Sequence, residues 1–171
     1  MKLDIKERLN LSFQLKILEK LYPEEAEYYA NHRKAIEDGY ELHYSWLTEH
    51  LSDGLTSEEC TEVLDILDMY TGLYYSFQAL KDPKKLKTDS VRFPGFDGNN
   101  ETMRMAYTKY FIEDLDRFEW IKKLTNGYYN SHSRMIPKYK KMLAKFKEYS
   151  IEERNSLNES QIKELIETTG Y

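Results

Sequence analysis

The residues of this chain whose spacing could support chemistry are carboxylates. Asp65 and Asp68 stand three apart, so a helix places both on one side, together with Thr61 and the small Gly72. Such a pair can do acid-base work or hold a metal when a site of low polarity splits the two proton affinities. Asp97 and Glu101 come after the run Val91-Arg92-Phe93-Pro94-Gly95-Phe96, whose residues suit backbone shape more than helical burial. Here Arg92 could meet an anion, Phe93 and Phe96 could wall a pocket, and the amides after Asp97 could receive a carboxylate or phosphate at a helix start. Arg92, Phe93, Phe96, Asp97 and Glu101 therefore form the candidate ligand site. The structural alternative is equally concrete: Asp97 or Asn99 caps the helix, both rings anchor the turn, and Arg92 is solvated. A cap and a bound anion compete for the same amides.

Other chemistries find little support. Cys60 is the single cysteine, which excludes an internal disulfide framework and a thiolate cluster, and no base stands beside it by spacing. His32, His43, His50 and His132 fall in no ligand spacing, and no Glu-x-x-His motif accompanies the aspartates. No metal, no cofactor and no catalytic residue is expected. Asp65 and Asp68 then form a solvated or salt-bridged stripe. Asp114 lies one turn from Phe111 and Phe118, where it would intrude on an apolar seam and require a partner.

These residues need elements to position them, and the periodicity is helical almost throughout. Asp4 with Glu7 opens a helix over residues 5–21, with Leu11, Leu15, Leu18 and Leu21 on its apolar face. A second helix spans 23–38 and stops at Gly39, and a short helical stripe lies within 40–51. Thr56 and Glu59 open the core helix, which carries Val63, Ile66, Leu67, Tyr70, Leu73, Tyr74, Phe77 and Leu80. Residues 81–87 break it. One long helix is expected over 99–124, with Met103, Tyr107, Tyr110, Phe111, Phe118 and Ile121 on one side. Next come a lysine-rich helix over 137–149 and a short last helix opened by Asn158 and Gln161. Residues 90–93 and 40–44 are the only stretches that could pair as short strands. The expectation is an all-α fold, a compact orthogonal bundle of about six to seven helices in one domain over 1–171.

Composition agrees. The chain has 171 residues, 32% of them charged, and only seven Gly and four Pro, as a bundle of amphipathic helices requires. Fifteen tyrosines and seven phenylalanines make its interior aromatic, and the surplus points to a subunit contact. No leader pattern and no apolar run of the ~20 residues a membrane helix needs is present, so a soluble cytoplasmic protein is expected.

Charge is uneven. Residues 24–68 hold thirteen acids against Arg33 and Lys34, whereas 122–147 hold eight cations and no acid. A basic helix invites a nucleic-acid reading. A net charge of -5 favours instead a solvated face that complements the acidic half, within one chain or across an oligomer contact.

Four segments in order carry a family resemblance: Arg8-Leu9-x-Leu11-Ser12-x-Gln14; Ile36-Glu37-x-Gly39-Tyr40; Glu59 followed by Val63-Leu64-Asp65-Ile66-Leu67-x-Met69-Tyr70; and Phe93-x-Gly95-Phe96-Asp97. Together they resemble the YfbU family of small bacterial proteins. The resemblance implies a helical fold and no assigned activity, and it suggests ligand binding because similar domains occur fused to DNA-binding modules. Three function classes remain, ranked in this order. The first is a ligand-binding or protein-interaction domain acting as a homo-oligomer. The second is a helical enzyme using Asp65, Asp68 and Asp97. The third is a nucleic-acid partner using residues 122–147.

Overall fold

The computed structural model describes residues 1–81, 83 and 86–167, and every regular element among them is helical. Asp82, Lys84 and Lys85 of the expected connection lie outside the described residues. Contacts divide the chain into two compact units, residues 1–53 and 54–171.

In the N-terminal unit, α1 (Ile5–Leu21) starts with the Asp4/Glu7 capping box and ends at Tyr22, before Pro23. A 3-10 turn over Pro23–Glu25 leads into α2 (Ala26–Asp38), and a second 3-10 segment covers Glu41–Leu47. Residues 41–44 are thus 3-10, and no strand forms over 40–44. Leu15, Ile36 and Tyr44 are the buried core, with Leu3, Leu11, Leu18, Tyr29 and Leu47 packed on it. Leu21, expected on the inner face, is 65% exposed.

Polar bonds close the α1–α2 hairpin. The Arg8 guanidinium donates to the carbonyls of Ile36 (2.7 Å) and Glu37 (2.6 Å), satisfying the end of α2 with a cation where the helix dipole is negative. The Glu37 carboxylate accepts from Ser12 Oγ at 2.6 Å and pairs with Lys16 and Arg33 at 3.2 and 2.9 Å.

In the C-terminal unit, α3 (Ser57–Ala79) begins with the Thr56/Glu59 capping box and buries a continuous face from Val63 to Phe77. Against it pack α4 (Thr102–Lys109), α6 (Ile136–Phe146), the short α7 (Ile151–Arg154) and α8 (Glu159–Glu167). Gly72 makes room for the end of α7: a Cβ there would meet the Arg154 carbonyl at 2.5 Å. The Ser76 hydroxyl, buried in α3, accepts from the Leu157 amide at 2.9 Å and fixes the approach to α8.

The expected helix over 99–124 is interrupted. After α4 a π-turn covers Tyr110–Asp114, Asp116 and Phe118 take left-handed backbone (φ 51° and 50°), and α5 (Glu119–Thr125) starts afresh. The extra residue of a π-turn rotates the residues beyond it out of the helical register, so Asp114 is exposed, off the apolar seam. Met103 and Tyr110, expected on the inner side, also face outward. Neither expected strand is present among the described residues. Thr88–Ser90 form a 3-10 turn, and β pairing is limited to one bridge between Phe96 and Asn130.

The hairpin clasp has a pH signature. The Ser12 hydroxyl first, then Lys16 and Arg33, lower the Glu37 pKa to about 2. A depressed carboxylate contributes stability above its unfolded value, so this contribution is complete near neutrality and fades as pH falls from the ordinary carboxylate range toward 2. Ser12→Ala should raise the Glu37 pKa, read by carboxyl-carbon NMR titration, and move the acid unfolding of the N-terminal unit to higher pH.

Candidate functional site

The segment 91–101 begins with Val91 buried and ends on Glu101 buried. Gly95 has φ 93°, and a Cβ on it would overlap the Tyr129 carbonyl, so only glycine fits this turn. The close approach lets the chain pair there: the Phe96 amide donates to Tyr129 O and the Ser131 amide to Phe96 O, at 2.9 and 3.0 Å. Phe93 and Phe96 are 1% and 0% exposed. Their rings meet each other at 5.8 Å and lie against Tyr139 at 6.1 and 5.4 Å, while Tyr70 closes on Phe93 at 5.4 Å. The Tyr139 hydroxyl donates to Gly95 O at 2.6 Å. Burial pushes the Tyr139 phenol well above its ordinary value, as it does Tyr70, so both stay protonated as donors.

The acids of this segment face their own backbone. Asp97 accepts from the Asn99 amide (3.0 Å) and the Asn100 side chain (2.5 Å), and these two bonds hold its pKa below the ordinary aspartate value. It therefore closes the turn ahead of α4, which starts at Thr102. Glu101 spans the junction: one oxygen accepts from the Asp97 amide at 3.0 Å, the other from the amides of Met135 and Ile136 at 2.8 Å each. The second pair lies at the start of α6, so a carboxylate already occupies that helix end. Arg92 alone of the five candidates is exposed, with no polar partner among the described residues. The structure thus brings Phe93, Phe96, Asp97 and Glu101 together as interior, and two clefts of this unit, beside Asp65, are lined by other residues.

Asp65 and Asp68 line a cleft of 290 Å³ with Thr71, Gly72, Phe146 and Arg154. Lys147 bonds Asp65 at 2.6 Å. Asp68 carries no polar partner among the described residues, and partial burial, then the neighbouring Asp65 charge, raises its pKa. It can hold a proton more readily than a free aspartate, yet its neighbour Asp65 is neutralised by a lysine, and Asp97 lines neither this cleft nor the adjoining one over Ser57, Thr61 and Glu62. Half of the basic stretch is paired with acids as well. Lys123 pairs with Glu119, Lys140 with Glu62, Lys145 with Glu148 and Glu164, and Lys147 with Asp65, whereas Arg134 bonds Asn100 and Lys122, Lys138 and Lys141 have no acidic partner among the described residues.

A feature absent from the expectations lies on α1. Ile5, Leu9, Phe13, Ile17 and Leu21 are each between 53% and 80% exposed. Their spacing of four makes one continuous ridge along the helix. At 3.6 residues per turn the ridge spans an arc of about 160°, into which Lys6, Asn10, Lys16 and Lys20 also project, with no acid. The signal was in the sequence as a second i, i+4 repeat beside the inner leucines. In the same unit, Glu24, Glu25, Glu27, Tyr28 and Asn31 line a shallow cleft of 670 Å³.

A model of the YfbU domain family matches residues 1–168. The UPF0304 protein MJECS11 of Methanocaldococcus jannaschii is 37% identical over 141 residues, covering 80% of this chain and 83% of its own.

Glu101→Ala should destabilise the C-terminal unit by about 3–5 kcal/mol, since it strands several amides at a buried helix start. Arg92→Ala should stay within about 0.5 kcal/mol. Urea unfolding of the two variants measures the contrast. Equal costs would return Arg92 to the site.

Proposed function

The chain belongs to the YfbU family, and on that footing we propose that it is a helical protein-interaction domain that works as a homo-oligomer, with the N-terminal unit as its adhesive part. One observation carries the reading. Twelve of the eighteen large apolar side chains that are exposed among the described residues fall in the first 53, a third of the chain. Five of them form the α1 ridge, and Tyr22, Tyr28, Tyr40, Leu42, Trp46 and Leu51 are others. Scattered exposed apolar residues are ordinary, whereas an ordered ridge is the mark of a contact surface.

The inner side of the unit supports this. Three buried core residues are few for 53 residues, and a unit so small gains stability by burying its outer apolar surface against another surface. Among the described residues the C-terminal unit leaves no comparable apolar ridge outward: its aromatic segment is interior, and two of the four lysines of α6 are paired with acids. None of its helices is long and apolar enough to cross a membrane, nor is α1. We read the ridge as a protein contact.

Light scattering on the eluting full-length chain should give a mass above the 20.5 kDa of one copy. Leu9→Glu with Phe13→Glu should return it to that mass with helix content unchanged, since both side chains are more than half exposed. A wild-type chain that elutes as a single copy at every concentration would defeat the reading.

A further inference from the structure

Resting on the self-association reading, we infer that the lysine-laced ridge of α1 in one copy docks on the acidic, tyrosine-bearing face at the start of α2 in another. The ridge is poorly matched to itself. Lys6 and Lys20 stand seven residues before and after Phe13, the ridge's centre. A two-fold pairing of α1 with itself about Phe13 would lay Lys6 of one copy against Lys20 of the other. A parallel pairing would set each lysine against its own equivalent. Neither lysine has an acidic partner among the described residues, and Glu7 and Glu19 of α1 are engaged in its cap and with Arg33. The surface that receives the ridge must bring acids and an apolar floor.

The same unit carries such a surface. Glu24, Glu25 and Glu27 surround a cleft with Tyr28 and Asn31, and Tyr22 is exposed beside them. Arg33 and Lys34 lie further along α2, so the cleft itself is lined by acids and no cation. A tyrosine face amid carboxylates suits an ammonium, by charge and by the ring's electron-rich face. The occupant is therefore a second copy of this chain. Every copy offers both halves, so the contact can close reciprocally between two copies or run head to tail.

Charge exchange tests it. Lys6→Glu/Lys20→Glu, and separately Glu24→Lys/Glu27→Lys, should each weaken self-association of the full chain by about 100-fold. Mixed in equal amounts, the two variants should associate again, because each then supplies what the other lost. All four positions are exposed, and circular dichroism confirms that each variant stays folded. Stronger association of the single variant Lys6→Glu, which would put opposite charges across a two-fold pair of α1 helices, would overturn the inference in favour of α1 against α1. So would unchanged association of either variant, or a mixture that stays dissociated. In those cases the wild-type mass still exceeds one copy. A wild type of single-copy mass would instead defeat the self-association reading itself.

Discussion

The carboxylate of Glu101 holds three backbone amides at once, and the C-terminal unit is arranged around that bond set. A buried carboxylate is costly unless its lone pairs are used, and here they are used on the amide before the turn and on two amides opening α6. The positive end of α6 adds to the attraction. Once α6 is placed, Tyr139 near its start reaches Gly95, and the rings of Phe93, Phe96 and Tyr70 close around it. Gly95 is what lets the two stretches of chain approach closely enough. The segment 91–101 is thus a weld between distant parts of the sequence, with its polar groups turned inward.

The N-terminal unit repeats the device with opposite charge. There a guanidinium, Arg8, satisfies the last carbonyls of α2, and Glu37 gathers Ser12, Lys16 and Arg33 from both helices. Arg8, Ser12, Ile36, Glu37 and Gly39 are among the residues that carry the family resemblance, and Phe93, Gly95, Phe96 and Asp97 are others. In each unit, then, the recognisable motif is the set of groups that joins separate segments of chain. That is structural chemistry, and it explains why motif residues were legible without revealing a reaction.

Legibility in the sequence depended on local rules. The capping boxes at Asp4 and Thr56, the stop at Gly39 and the apolar face from Val63 to Phe77 each depend on residues within a turn or two, and each stands as expected. The break after Lys109 was not legible: no glycine or proline marks residues 110–118, and Phe118 is an unexpected occupant of left-handed backbone. The role of Glu101 was hidden for another reason. Its partners at Met135 and Ile136 are thirty-four and thirty-five residues away, and spacing within a helix carries no trace of them. A run of turn residues, aromatics and acids has the same composition whether it lines a pocket or plugs a gap between helices. Only burial separates the two.

The division of labour between the units arises from their cores. Among the described residues, twenty-one buried apolar side chains form one cluster in the C-terminal unit, against three in the N-terminal one. A large core can take up most of its aromatic surplus, leaving Tyr75, Tyr110 and Tyr128 exposed; a small hairpin cannot, so its apolar residues stand outward on both helices. An outward ridge without charge would adhere to any apolar surface. Lysines set within it confine adhesion to surfaces that bring acids, because an ammonium facing another ammonium, or pressed into an uncharged apolar face, loses hydration without compensation. In the proposed self-association, apolar area would supply the affinity and charge would select the partner. The acids gathered around Tyr28 give this chain a surface of the kind that such a ridge selects.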